Sequence, residues 1–371
     1  MARAPAVSEI EVLPEADRLE GFLHPRETRA LFGHAAAEQT LHAAVAGGRM
    51  HHGWLLTGAA GIGKATLAYR LARHLLAAPA ERDPSGSLAV ADTTSAARQV
   101  TALSHPGLLV LRRLWDPKAK RFGTAIAVDE VRRLRSFLSH TTEAAGWRVV
   151  IVDPADELNI SAANAVLKSL EEPPPRTVFV LVSAEPGRLL ATIRSRCRVL
   201  ALAPLEPDDL KQAVDQACAT AERTLPPTES WREIAAVAGG SVRGALILAG
   251  AGGLELHARI QGLLGLLPKV DWVAAHALSD ELAAPQAEQR YEAFLAQLLQ
   301  ALAELIRART HGAGPAAAAA QRLIPDGQLA AFAEAWQRLA SDAAEADRLN
   351  LDRKALILNT ISNLAEIAAR R

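Results

Sequence analysis

Thr57-Gly58-Ala59-Ala60-Gly61-Ile62-Gly63-Lys64-Ala65-Thr66 decides the fold. Glycines let backbone N–H groups close on phosphate oxygens, and a lysine at the end of such a loop reaches the β and γ oxygens. A working loop then needs a Ser or Thr hydroxyl to hold Mg²⁺. Ala65 stands in that place. Thr66 follows one residue later, and one helical step of ~100° turns its side chain away from the metal. Gly58, Gly61, Gly63 and Lys64 are therefore candidate nucleotide-binding residues in a pocket that lacks its metal ligand.

Context raises this loop above a chance match. Trp54-Leu55-Leu56-Thr57 reads as a short buried strand before it, and Lys64 to Leu76 as a helix opening on it, which sets the helix N-terminus against bound phosphate. A second apolar strand, Val149 to Val152, ends in Asp153, the place for a carboxylate near Mg²⁺. An active ATPase of this type usually follows that aspartate with a glutamate that orients the attacking water. Pro154 occupies the position instead. Both losses point to an ATPase fold that has given up hydrolysis, with ATP occupancy without turnover left open.

Outward from the loop, strands and helices alternate. Leu108 to Leu111 and Val178 to Val182 are further strands; Ile126 to His140 has helical spacing, with Val128, Val131, Leu134, Phe137 and Leu138 on one face. The helix Ala162 to Glu171 stops at Pro173-Pro174-Pro175. Such alternation implies an α/β core with a parallel sheet covered on both faces. Ala77 to Ser104 reads as a loop-rich insertion. From Asp208 the pattern is almost wholly helical, giving a core over 20–204, a small helical lid over 205–253 and an all-α domain over 254–371. Residues 1–19 sustain no amphipathic period and are expected to be a weakly ordered arm, and Ala313 to Ala320 a loop or frayed helix start.

Composition excludes several function classes. The 371 residues carry 41 basic and 41 acidic side chains, so no global charge draws the chain to nucleic acid or membrane. Cys197 and Cys218 cannot supply a four-ligand zinc site, and their small number fits a reduced, cytoplasmic setting. The start lacks a signal-peptide pattern, and no segment approaches the ~20 apolar residues of a membrane span.

Other polar and aromatic residues have ordinary readings beside functional ones. On spacing alone, Arg194 and Arg196 in Ala191-Thr192-Ile193-Arg194-Ser195-Arg196-Cys197 are solvated or capping side chains. Arg243, on the first turn of a lid helix, either reaches the chain's own nucleotide or is a surface charge. His51 and His52 are expected to pack or cap before the first strand. Trp272, Tyr291, Phe294, Phe332 and Trp336 recur at helical spacing and read as core rather than base-stacking platforms.

Three stretches carry a resemblance: Asp153-Pro154-Ala155-Asp156-Glu157-Leu158-Asn159, Asn164-Ala165-Val166-Leu167-Lys168-Ser169-Leu170-Glu171-Glu172-Pro173-Pro174, and Ser195-Arg196-Cys197. Together with Phe32-Gly33-His34, the phosphate loop and Asn350-Leu351-Asp352-Arg353-Lys354, they resemble the bacterial clamp-loader AAA+ family of the DNA polymerase III holoenzyme. The resemblance implies a RecA-like core, a helical lid and a helical collar that holds a five-membered ring. It further implies a stator chain whose partners are delta and the ATP-hydrolysing tau or gamma chains, acting with them on the sliding clamp and primed DNA. Arg196 would then be offered to ATP on an adjacent tau or gamma subunit, reversing the reading from spacing. Many relatives carry four cysteines between the first helix and the next strand; Ala77 to Ser104 has none, so no zinc is expected. An autonomous ATPase acting as a DNA-remodelling motor is the rival reading, and Ala65 and Pro154 stand against it.

Overall fold

The computed structural model describes residues 14–83, 85–118, 121–139, 146–250, 252–312, 316–349 and 352–370. The first thirteen positions of the expected arm, the start of the Ala313 to Ala320 stretch, His140, and Asn350 and Leu351 of the terminal motif lie outside them. The chain divides into two compact units between Leu246 and Ile247.

The first unit runs α1 (Ala35–Ala46), β1 (Gly53–Thr57), α2 (Lys64–Leu76), α3 (Ser95–Thr101), β2 (Leu108–Leu111), β3 (Trp115–Asp116), β4 (Arg121–Phe122), α4 (Val128–Ser139), β5 (Arg148–Val152), α5 (Ile160–Glu171), β6 (Thr177–Ser183), α6 (Ala191–Arg194), β7 (Arg198–Ala201), α7 (Pro207–Thr220) and α8 (Thr228–Ala238). Helix α9 (Val242–Ala249) crosses the division. Five strands form a parallel sheet in the order β2-β5-β6-β1-β7. β3 and β4 make a separate antiparallel pair.

Apolar alternation explains the layers. Leu55, Val150, Val152, Phe179 and Leu181 pack with α4, α5 and α6 on one face. The alternate residues Trp54, Leu56, Val149, Ile151, Val178 and Val180 are fully buried too, and α2 lies against β5 and β6. Strands buried on both faces read as continuous apolar runs, which is why β1, β2, β5 and β6 were visible in sequence. Truncating Phe179 at the centre of β6 to alanine would cost about 3–5 kcal/mol. α5 begins two residues before its expected start at Ala162, because Asn159 caps it by accepting a hydrogen bond from Ala162 N at 2.8 Å.

Residues 77–104 are more ordered than a loop-rich insertion suggests. Asp83 accepts hydrogen bonds from the hydroxyls of Ser85 and Ser87, both at 2.7 Å, and Arg82 donates to the carbonyls of Leu75 and Ala77. Thr94 caps α3.

The second unit is helical: α10 (Gly253–Leu266), α11 (Trp272–Leu282), α12 (Glu288–His311), α13 (Ala317–Leu323), α14 (Leu329–Leu349) and α15 (Arg353–Ala369). Its core gathers Leu256, Ile260, Leu278, Phe294, Leu302 and Phe332 around α12, which packs against α10, α13 and α14. Tyr291 is core as expected, and Trp336 is half-buried with its indole N–H donated to the Leu299 carbonyl at 2.9 Å. Trp272 corrects the core reading: at 44 % exposure on the first turn of α11 it stands beside the still more open Val273.

Candidate functional site

The phosphate-binding loop leaves the carboxyl end of β1, where parallel α/β sheets place ligands. Gly58 has φ 137°, and a Cβ there would lie 2.4 Å from the Leu202 carbonyl oxygen. Gly61 has φ 75°, and its Cβ would lie 2.5 Å from Cβ of Arg243. Both glycines are therefore demanded by conformation and by contact. Gly63 is the left-handed cap of α2, and Lys64 begins that helix.

The loop's carbonyls are closed by its own chain. Lys64 is 5 % exposed, and its Nζ donates to the carbonyls of Gly58 at 2.7 Å and Ala59 at 2.6 Å. Ser241 Oγ donates to Ala60 at 2.9 Å, the Arg243 backbone N–H to Gly61 at 3.3 Å, and buried His34 Nε2 to Ile62 at 2.6 Å. Five consecutive carbonyls thus hold internal partners. Arg243 Nη1 also reaches the Asp17 carbonyl at 3.4 Å.

Beside the loop is a cavity of about 760 Å³. Ala65, Thr66, Asp153, Pro154 and Glu157 line it, with Asp17 and Phe22 from the N-terminal segment. Asp153, at the end of β5, is 6 % exposed, and its Oδ2 has no hydrogen-bond partner among the described residues. Burial pushes its carboxyl up to about 7, Asp17 adds to the rise, and Lys64 opposes it. Burial also pulls the Lys64 ammonium down to about 8 against the attraction of Asp153 and Asp156. The acid and base of this pocket are thus both shifted toward their neutral forms.

Neighbouring carboxylates are committed elsewhere. Asp156 Oδ1 accepts from Ser183 Oγ at 2.5 Å, while its Oδ2 accepts from the backbone of Ala184 at 2.6 Å and Glu185 at 3.1 Å, tying down the end of β6. Glu157 pairs with Arg113 at 2.5 Å. The residues present fit part of a nucleotide: a glycine loop, a lysine and a cavity accommodate phosphate. The fit to its metal is incomplete: Asp153 keeps a carboxylate at the cavity, but Ala65 has no hydroxyl to share the ion and Pro154 no carboxylate to orient water.

The segment from Pro14 to Leu19, expected to be loose, is anchored. Glu15 pairs with Arg26 at 2.5 Å and Arg112 at 2.6 Å, and Asp17 with fully buried His24 at 2.7 Å. Burial alone would raise the Glu15 carboxyl, yet the hydrogen bonds from Arg26 and Arg112 hold it at about 2.

Arg196 is not part of this pocket. In the register, Trp54 pairs with Arg198 and Thr57 with Ala201. The loop follows Thr57, whereas Arg196 precedes Arg198, so the two sit at opposite ends of adjacent strands, separated by about 10 Å of β7 alone. Arg196 Nη2 pairs with Glu171 at 2.9 Å and Nη1 donates to the Thr192 carbonyl at 3.1 Å. The guanidinium remains 37 % exposed beside the sheet's edge strand. His51 and His52 stack at 4.4 Å, and His51 Nδ1 meets the backbone of Gly53, in line with packing and capping.

Sequence reasoning located every glycine of the loop, Lys64, Asp153 and Arg243, but not the closing donors His34 and Ser241. His34 lies in the quoted Phe32-Gly33-His34 and Ser241 two residues before Arg243; nothing in their spacing points to the loop.

A family model described as DNA polymerase III, delta subunit matches residues 33–206. DNA polymerase III subunit delta' of Pseudomonas aeruginosa is 37% identical over 256 residues, covering 66% of this chain and 69% of that protein. Its Escherichia coli counterpart is 38% identical over 166 residues, so there the match spans 45% of this chain and 46% of the relative. DNA polymerase III subunit gamma/tau of Mycobacterium tuberculosis is 29% identical over 266 residues, 70% of this chain and 43% of that one. Among solved structures, a gamma subunit-related protein of Thermotoga maritima covers 90% of this chain and 99% of its own at 18% identity and a TM-score of 0.38. By the extent and identity of the sequence matches, the chain belongs to the delta' family of DNA polymerase III subunits.

Proposed function

We propose that the chain is a non-hydrolysing structural subunit of a clamp loader, which helps place the ring-shaped sliding clamp on primed DNA during replication in the cytoplasm. In this reading its partners are delta and tau/gamma chains. ATP on an adjacent tau/gamma subunit is the group hydrolysed, and Arg196 of this chain stabilises the charge that develops on the γ-phosphoryl oxygens. The observation that carries the reading is the separation of the two phosphate-directed features. Arg196 stands at the far strand end from its own loop, beside an exposed sheet edge, with donors to spare.

Two further features support it. The loop has neither the metal hydroxyl at Ala65 nor a carboxylate at Pro154, and its carbonyls are held by Lys64, Ser241, Arg243 and His34. ATP at this chain's own site is therefore held without turnover. Residues 205–253 act as a lid, and 254–371 as the collar that carries assembly. No helix among the described residues is long and apolar enough to cross a membrane.

The test is reconstitution with delta and tau/gamma chains, then ATPase measurement with clamp and primed DNA. Arg196→Ala should leave assembly intact and lower turnover by about tenfold or more, below the roughly 10³–10⁵ of isolated arginine-finger systems because several sites share the ring. Arg196→Lys should rescue poorly, since an ammonium lacks the planar fork. Wild-type turnover in an assembled Arg196→Ala complex would overturn the trans role. Turnover by the isolated chain near ~1 per second would instead revive the autonomous motor.

A further inference from the structure

We propose that Glu171 is the positioning residue for Arg196, an inference that rests on the trans role argued above. Glu171 is the last residue of α5, and Arg196 lies in the turn between α6 and β7. The Glu171 carboxylate holds one nitrogen of the guanidinium at 2.9 Å, and the Thr192 carbonyl holds another at 3.1 Å. Two anchors from two elements fix the plane of the group. Of its five N–H donors, the Thr192 carbonyl engages one, while the Glu171 carboxylate lies in ion-pair contact with the other terminal nitrogen. The rest stay available to a phosphate approaching the sheet edge.

Folding does not account for the pair. Its side chains are 37% and 44% exposed, and ion pairs so open to water contribute little to stability. Attraction of an anion does not account for it either, because an adjacent carboxylate reduces the positive charge that Arg196 offers. Orientation does account for it. A free arginine loses the freedom of several torsions when it engages a ligand, and an anchored one has lost much of it beforehand. A planar fork also has to arrive at a usable angle, which anchoring on one edge secures.

The experiment uses the reconstituted complex with clamp, primed DNA and ATP, after size-exclusion chromatography has confirmed assembly of each variant. Glu171→Ala is expected to lower kcat by about three- to tenfold while KM for ATP stays unchanged, the split expected when a group's placement and not ligand affinity is lost. Glu171→Gln keeps an acceptor oxygen and is expected to recover at least half of the wild-type rate. In the Arg196→Ala background, adding Glu171→Ala is expected to change nothing. A Glu171→Ala rate equal to or above wild type, in a series where Arg196→Ala is slow, overturns the positioning role alone. So does a further loss in the Arg196→Ala background. An Arg196→Ala complex as fast as wild type removes the trans reading and the positioning role together.

Discussion

The phosphate loop and the Arg196 edge lie at opposite ends of neighbouring strands and are held in opposite ways. Each carbonyl from Gly58 to Ile62 accepts a bond from the same chain, and Lys64 is 5% exposed. Arg196 has one carboxylate, one carbonyl and 37% exposure. The loop's carbonyls serve internal cohesion, whereas Arg196 is anchored on one edge and open to solvent on the other. Recognising a phosphate motif in sequence thus says little about its use until the partners of its polar atoms are counted.

The contrast can be broken most directly at Gly58. Gly58→Ala should destabilise the first unit by about 3 kcal/mol or more, because a Cβ would lie 2.4 Å from a backbone oxygen at φ 137°. Urea unfolding reads this, and a loss within about 0.5 kcal/mol would mean a slack loop and no contrast.

Asp153→Asn should act in the other direction, and with pH. The folded carboxyl titrates near 7 against an ordinary value of 3.8. It therefore binds its proton more tightly when folded, and the wild type loses stability as pH rises from about 4 through about 7. Asparagine removes that loss, so the variant should be more stable by on the order of 1–3 kcal/mol at pH 8 and nearly unchanged at pH 4. A pH-independent difference would show that Asp153 is well paired and the pocket is not closed as described.

Ser241→Ala should cost about 1–2 kcal/mol, because it removes both the bond to Ala60 and the one accepted from Gly244 N at the start of α9, and should not create ATP turnover. ATP hydrolysis appearing in this variant would mean that the lid-side hydroxyl, and not the missing metal ligand, restrains the site. The smallest effect belongs to the other end of the sheet. Arg196→Ala should lower the free energy of unfolding by no more than about 0.5 kcal/mol. A larger loss would make the arginine a structural group like those of the loop.

Legibility in the sequence followed burial and chain separation. β1, β2, β5 and β6 announced themselves as apolar runs, and α2 followed from the loop that opens it. β7 did not, since Arg198, Val199 and Ala201 are exposed and no run marks them. The two-residue strands β3 and β4 are too short to carry a period. α1 is rich in alanine and buries little beyond Ala37 and Leu41, so it offered no stripe. At the site, residue types that define chemistry were readable at Gly58, Gly61, Gly63, Lys64 and Asp153. Their closure was not, because Ser241 comes from 181 residues away and His34 from 28. Trp272 misled because helical spacing tells which residues share a face, not whether anything covers it.

β7 ends the sheet with its outer backbone unpaired among the described residues, and a row of open N–H and C=O groups is a template for any passing strand. Its four residues are headed by Arg198, whose guanidinium lies over the Trp54 ring at 5.1 Å. So short a template, guarded by a cation, offers an intruding strand few bonds and a charge to bury. The fold can therefore leave this side bare for a specific neighbour without inviting aggregation while the chain is still alone.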